Sequence, residues 1–515
     1  MAELREGGRL PGVLLFVAGI VVCWSVLPAL LQTVPHADNV EQLNWAHALQ
    51  WGYLKHPPLP TALLWLAQSL VGPSAFLTYL LAMLCVGATL LLLWRCALLL
   101  SDRPTALVAL VLSSADYYLM GRGSFLNHNT VMLPFVAASA WAVLRIVQDR
   151  PGRPSWHLWV LLGLMQALGL LTKYQMAIII AANAAALLAA GPWRGPGRAL
   201  PFAGHVALCA AATVLPLLPH FFWLQQHAYS SFTYAGQNLL ADLPPAERLW
   251  HTLGFIAQQL GRLAPVGIAL GLALLLQRVR AFPGTAPKPA DAPAPARPAP
   301  SADPRLDRAL LLLAVVPVVL VLLLALLGGV APQNHWGASS TLLLPLLLAT
   351  RLRAAATLQT RAALLAVCAV QAIAVLWNIA VAIEAPGFHH SFAARPLAAQ
   401  ALAHWQQHEP GPLRIVAGPD WDAGAIALYL PGHPAVLASG DRRQAPWISD
   451  EELERCGALV LWRPGQPPAE QVGAAIAARI ESPIILQEHM ARGIVSTMGA
   501  GILAPTRGGC GTTAP

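Results

Sequence analysis

Charge is what this 515-residue sequence has least of. Only 11% of its residues are Asp, Glu, Lys or Arg, where soluble domains carry about 25%. That excludes an ordinary soluble multidomain protein of this length. Lysine is almost missing: 29 of the 32 basic residues are Arg, and the three lysines are Lys55, Lys173 and Lys288. The net charge of +8 is scattered over many short loops and gathers into no patch of the kind nucleic acid requires. The seven cysteines show no CxxC and no metal-ligand spacing, and four or five of them fall in apolar segments as small buried thiols.

In place of charge there are apolar runs, 56% of the chain being hydrophobic. A membrane-crossing helix needs about 20 such residues. Candidates lie at roughly 11–32, 73–100, 104–119, 129–148, 156–172, 174–191, 200–224, 251–277, 308–329, 338–350 and 362–384, which predicts eleven spans. The first is long and lacks a small-residue cleavage context, so it reads as an anchor and not as a removed signal. With the N-terminus inside, the segments on that side hold 18 Lys/Arg, and the opposite loops before residue 385 hold four: Lys55, Arg122, Lys173 and Arg248. Positive residues stay cytoplasmic, which predicts a cytoplasmic N-terminus, an odd number of spans and an extracytoplasmic C-terminal part.

The expected organisation is a mainly α, polytopic membrane unit over 1–384, with an outer loop at 33–72 and a Pro/Ala linker at 281–306. A small α/β domain follows over 385–505, then a loose tail over 506–515. In that second domain 414–418, 435–439 and 458–462 read as buried strands, separated by helical stretches near 396–408, 450–456 and 468–480.

A charge near the bilayer is a functional candidate by default. The outer loop concentrates Asp38, Glu41, Trp45, His47, Trp51, Lys55 and His56, and 14 of the 16 histidines fall on the outer side. Acid, lysine, histidine and aromatics on one face suit an anionic lipid headgroup. Residues 40–51 have the spacing of an amphipathic helix lying in the interface. Plainer roles compete. Asp38 suits an N-cap, Lys55 a snorkelling side chain, and Asp116 the end of a span. His128, His335, His389 and His390 read as hydrogen-bonded interface residues and not as metal ligands. A transporter or flippase is the rival function, although transporters place charges near the midplane within paired halves, and no such halves are visible.

Four stretches carry a resemblance. Gly52-Tyr53-Leu54-Lys55-His56-Pro57-Pro58-Leu59 is the first, and Asn127-His128-Asn129-Thr130 the second. Gly169-Leu170-Leu171-Thr172-Lys173-Tyr174 and Pro219-His220-Phe221-Phe222-Trp223-Leu224, the latter followed by Ser231-Phe232-x-Tyr234, complete the set. In this order, over roughly 30–350, they resemble family 39 membrane glycosyltransferases, which include protein mannosyltransferase-like and lipid A aminoarabinose transferase-like enzymes. The resemblance implies a GT-C fold and a polyprenyl-phosphate-linked sugar donor. It also implies inverting transfer to a lipid, polysaccharide or protein acceptor at the outer face of a bacterial inner membrane, and a first-loop acid, Asp38, as general base. Family members often carry a second acid directly after it; here Asn39 follows and Glu41 is the nearest acid. A further acid usual at the second outer loop is replaced by Asn127 or Asn129, with Asp116 upstream. Lys55, His56, Lys173, Arg122 and Arg262 are the candidates for the donor phosphate, and His335 a further site residue. No metal ligands are assigned; the outer histidines leave a divalent metal open.

Overall fold

The computed structural model describes residues 10–148, 156–191, 199–236, 244–280, 303–352, 360–384, 387–490, 493–506 and 510. The chain opens with α1 (Leu10–Leu31), α2 (Ala37–Trp45), α3 (Leu59–Val71), α4 (Ala75–Leu100), α5 (Arg103–Ser113), α6 (His128–Gln148), α7 (Trp156–Thr172) and α8 (Met176–Ala190). It continues through α9 (Ala199–Val214), α10 (Leu218–Gln226), α11 (Ser230–Gly236), α12 (Pro245–Arg280), α13 (Pro304–Leu326), α14 (Gly337–Ser340), α15 (Leu344–Leu352) and α16 (Thr360–Glu384).

Among the described residues, seven helices are long and apolar enough to cross a membrane: α1, α4, α6, the Pro201–Gln226 stretch built from α9 and α10, α12, α13 and α16. The other four expected spans are shorter helices. The 104–119 run ends as a helix at Ser113, where Ser, Ser and Asp turn the chain away. The 338–350 run breaks at Thr341 into α14 and α15. α7 and α8 have 17 and 15 residues. Side chains fix several ends: Ser74 accepts from the Leu77 amide and Asp102 from the Thr105 amide, satisfying helix donors that would otherwise be orphaned. α4 is the axis of the bundle, packing on α1, α5 and α6, and its Met83, Leu90 and Leu93 are buried. α13 packs on α8, and α12 on α16.

α2 departs from expectation. It does not lie in the membrane interface, because Asn39, Val40, Gln42, Asn44 and Trp45 are all buried. Its cover is the C-terminal domain, which begins with α17 (Phe388–Ser391) and α18 (Ala394–His408). β1 (Ile415–Gly418), α19 (Asp420–Ala427), β2 (Ala435–Ala438), α20 (Asp450–Cys456) and β3 (Ala458–Trp462) follow. α21 (Pro468–Val472), α22 (Ala474–Ala477), β4 (Glu481–His489) and β5 (Val495–Leu503) complete it. The sheet order is β2-β1-β3-β5-β4. β1 runs parallel to β2 and β3, with Val416 opposite Val436 and Leu459; β5 is antiparallel to β3 and β4. The three parallel strands coincide with the three apolar runs read from the sequence. The β4–β5 hairpin and α19 were not anticipated: β4 is mostly exposed and its apolar run is only Ile484-Ile485-Leu486.

The linker expected at 281–306 lies outside the described residues up to 302. Its end is corrected, since α13 already starts at Pro304 under an Asp303 cap. Of the tail expected at 506–515, Thr506 and Cys510 are described, and Cys510 is tied to Cys456 by a disulfide. The other cysteines are unpaired.

Candidate active site

Asp38 sits in the first turn of α2, and His36, not Asp38, occupies the N-cap position. The helix is held rigidly from below. Asn39, fully buried, donates to Thr78 Oγ1 (2.8 Å) and to the Ser124 carbonyl (3.3 Å) and accepts from the Leu126 amide (3.2 Å). A carboxylate at 39 could accept but could not donate, and the Ser124 carbonyl would lose its donor, which accounts for an amide where a second acid was expected. Gln42 accepts from Thr61 Oγ1 at 2.8 Å and ties α2 to α3.

Asn127 shows the same logic. Its side-chain carbonyl accepts from the Asn129 and Thr130 amides, each at 3.0 Å, capping α6. Its amide donates to Asp38 Oδ2 at 2.7 Å. One side chain thereby starts a membrane helix and aims the acid. Asn129 accepts from Lys173 Nζ at 2.7 Å. Lys173 occupies the turn between α7 and α8, its amide bonded to the Gly169 carbonyl at 2.8 Å.

Lys55 and His56 ride on a tight loop closed by reciprocal bonds between Tyr53 and His56 (3.0 and 3.2 Å). Tyr53 stacks on Trp45 with centroids 5.0 Å apart. His220 bridges the Trp51 carbonyl (2.6 Å) and the Tyr174 hydroxyl (2.8 Å), and Ser231 donates to the Tyr53 carbonyl at 2.8 Å. The four stretches that carried the resemblance therefore meet in space: the first three present side chains, and the fourth braces the loop and contributes Tyr234.

Together these residues enclose a polar cavity of about 350 Å³. Asp38, Glu41, Lys55, His56, Arg122, Asn127, Asn129, Lys173 and His335 all line it. Asp116 and Arg262 do not. Asp116 is 2% exposed and caps a short 3₁₀ turn by accepting from the Tyr118 amide at 2.8 Å. Arg262 bonds the Tyr118 hydroxyl and the Asn334 carbonyl. Lys55 does not snorkel: it is paired with Glu41 and lies 3.7 Å from Asp420. Asp420 and Trp421, from the C-terminal domain, line the cavity too. Sequence reading missed both, because the opening of α19, 382 residues from Asp38 at Asp420, carries no signal of its partner.

The cavity's acids are Asp38, Glu41 and Asp420, its lysines and arginine Lys55, Lys173 and Arg122, and its histidines His56, His128 and His335. Burial pushes the Glu41 carboxyl up to about 7 against the pull of Lys55. Burial pushes the Lys173 ammonium down to about 7 against the pull of Asp38. Burial, with Lys173 and Lys55 nearby, pushes His56 down to about 3, so its imidazole is neutral. Among the described residues no group of three or more His, Cys, Asp or Glu has metal-binding geometry. His404 and His408, four apart on α18, bond backbone carbonyls at 2.8 and 2.9 Å.

A second cavity, of about 520 Å³, is apolar and lies between α1, α12 and α16, with Trp24, Leu27, Ile268, Val370, Ile373 and Trp377 among its walls. The loop over 117–125 forms one end, passing close over Trp24: a Cβ on Gly121 would stand 2.8 Å from the indole. Arg122 lines both cavities. Among the described residues its guanidinium has no carboxylate partner within 4.0 Å and lies 3.9 Å from the Phe125 ring centroid.

Comparison with known proteins fits this geometry. Residues 55–223 match the family model described as dolichyl-phosphate-mannose-protein mannosyltransferase. The fold is similar to that of ArnT from Cupriavidus metallidurans bound to undecaprenyl phosphate, with a TM-score of 0.61 and 13% identity, covering 96% of this chain and 98% of that one. The apo state of the same protein gives 0.59 at 13% identity with the same coverage. No curated protein sequence matches the chain. The family match and the shared fold bear out the resemblance to GT-C membrane glycosyltransferases.

Proposed function

We propose that this chain transfers a sugar from a polyprenyl-phosphate-linked donor to an acceptor hydroxyl at the extracytoplasmic face of a bacterial inner membrane. The observation that carries the reading is Arg122, whose side chain borders the apolar cavity on one side and the charged cavity on the other. An isoprenoid tail suits the first and a sugar the second, and the phosphate between them suits the guanidinium. The ArnT structure with undecaprenyl phosphate supports the donor class. The Lys/Arg asymmetry supports the orientation. So does the Cys456–Cys510 disulfide, a bond favoured outside the cytoplasm.

In this mechanism the acceptor hydroxyl attacks the anomeric carbon as the bond from that carbon to the phosphate oxygen breaks. Asp38, aimed by Asn127, takes the hydroxyl proton. The lipid phosphate leaves with the electron pair, and configuration inverts. Arg122 and Lys173 meet the charge that grows on the leaving phosphate.

The test pairs two measurements. Mass spectrometry of envelope glycans and lipids, with and without the gene, identifies the transferred sugar and its acceptor. Purified protein in lipid nanodiscs is then assayed with that donor. Loss of one sugar modification and its restoration by the wild-type gene support the reading; identical glycans in both strains overturn it.

A further inference from the structure

The residues around Lys55 come from two domains, and the distal one is braced for the purpose. β1 ends at Gly418, and after Pro419 the first turn of α19, opened by Asp420 and Trp421, stands directly at the carboxyl end of a parallel strand, where α/β sheets present their working residues. Asp422, 1% exposed, is paired with Arg463 at 2.6 Å, which fastens this turn to the end of β3. On the membrane side, Asn44 of α2 donates to both the Asp420 carbonyl (3.1 Å) and its Oδ1 (3.0 Å). The helix–helix contact below is too close for a side chain: a Cβ on Gly424 would stand 2.5 Å from Val40 Cγ1 and 2.6 Å from the Asn44 amide. With Oδ1 held by Asn44, the other oxygen, Oδ2, faces Lys55 Nζ at 3.7 Å, and Glu41 holds the same ammonium from α2.

We propose that the C-terminal domain is a working wall of the reaction chamber, in which Asp420 is a positioning residue that holds Lys55 in register with Glu41. Two carboxylates on one ammonium fix both its protonation and its direction, whereas one carboxylate fixes a single distance. Lys55 thus becomes a fixed part of the wall and is not a mobile phosphate ligand. The domain reaches the chemistry through three contacts: the Asn44 bond, the Gly424 approach and the Asp420 carboxylate. This inference rests on the chamber described above as the site of transfer. Its test needs no donor, so failure of the transferase reading and failure of this one are separable.

The experiment uses the full-length chain in lipid nanodiscs. Trace acetylation with acetic anhydride at one fixed pH is followed by peptide mass spectrometry, which reads Lys55 and Lys173 separately. Asp420→Asn is expected to raise Lys55 labelling by roughly three- to tenfold, because each unit lost from a lysine pKa multiplies the reactive amine about tenfold. Lys173 should stay within about twofold of wild type, and Asp420→Glu should bring Lys55 back toward it. Asn44→Ala and Gly424→Val, which keep Asp420 but release or wedge its dock, should raise Lys55 labelling in the same direction. Wild-type labelling of Lys55 in Asp420→Asn overturns the proposal. If that variant fails to fold, wild-type labelling in both Asn44→Ala and Gly424→Val overturns it equally. A rise at Lys55 alone, reversed by Asp420→Glu, supports it; an equal rise at Lys173 shows general loosening and overturns the specific role.

Discussion

The two cavities that meet at Arg122 are built on opposite principles. The polar one, about 350 Å³, is walled by paired and hydrogen-bonded groups: Asn127 on Asp38, Asn129 on Lys173, Glu41 and Asp420 on Lys55. The apolar one, about 520 Å³, is walled by aliphatic and aromatic side chains from α1, α12 and α16. Buried charges are expensive unless compensated, so the first cavity is dense with partners and its geometry is fixed. An apolar cavity has no such obligation, and only size and shape limit what enters it. Chemistry therefore belongs to the first and capacity for a long lipid to the second. Substitutions in the two should fail differently.

The sharpest break is expected at Asp38. Asp38→Asn keeps the shape and can still accept the Asn127 hydrogen bond, so folding and lipid binding should persist. Transfer should fall roughly 10²–10⁴-fold, the usual worth of a general base. Transfer at the wild-type rate would remove Asp38 from that role. The next largest effect is expected at the junction. Arg122→Ala should weaken binding of undecaprenyl phosphate by about 10- to 100-fold, the range of a lost charge-assisted hydrogen bond. Arg122→Lys should recover only part of that, because an ammonium lacks the planar fork. Unchanged binding in Arg122→Ala would cut the proposed link between the cavities. A smaller effect is expected in the apolar wall. Ala374→Trp fills part of the groove and should weaken undecaprenyl phosphate while leaving a short-chain polyprenyl phosphate nearly untouched. Equal losses for both chain lengths would mean that the tail lies elsewhere.

The same contrast explains what could be read from the sequence. The bundle was legible because apolar runs of this length have few alternatives, and the parallel strands were legible as short buried runs. Asp38, Lys55 and Lys173 stood out because charge is so scarce here. The lining by Asn127 and Asn129 was legible only through motif order, and His335 only as one of the histidines on the outer side. What could not be read was the partnership between elements far apart in the chain. Asp116 looked like a site acid, yet its carboxylate serves a backbone amide two residues on. Arg262 looked like a phosphate ligand, yet it is occupied by Tyr118 and Asn334. α2 looked like an interfacial helix, since nothing in its own residues announces that α19 covers it. Asp420, 365 residues beyond Lys55, completes the Lys55 site without any local mark. Sequence periodicity reports the environment of one element, whereas a wall shared by two domains is a property of their docking.

The smallest effect, and the one that most finely separates the two cavities, concerns pH. Two acid–base groups of the polar cavity titrate near neutrality. Glu41 lies at about 7 through burial, and Lys173 at about 7 through burial. Below that pH Glu41 is neutral and Lys173 charged, so Lys55, Arg122 and Lys173 outweigh Asp38 and Asp420 by one unit. Above it Glu41 is ionised and Lys173 neutral, and three acids outweigh two cations by one. Affinity for an undecaprenyl phosphodiester, whose single charge does not change in this range, should therefore fall as pH rises through 7. The slope should be at most about tenfold per pH unit for each group that changes protonation. Glu41→Gln removes one of the two groups, so its slope should be about half of the wild-type slope, and its affinity above pH 8 should exceed wild type. Ala374→Trp, in the apolar wall, should shift the whole curve down without changing its slope. Isothermal titration at pH 6, 7 and 8 on the three proteins decides it: a wild-type slope in Glu41→Gln would mean that Glu41 does not titrate where its burial puts it, and that Lys173 alone sets the cavity's charge.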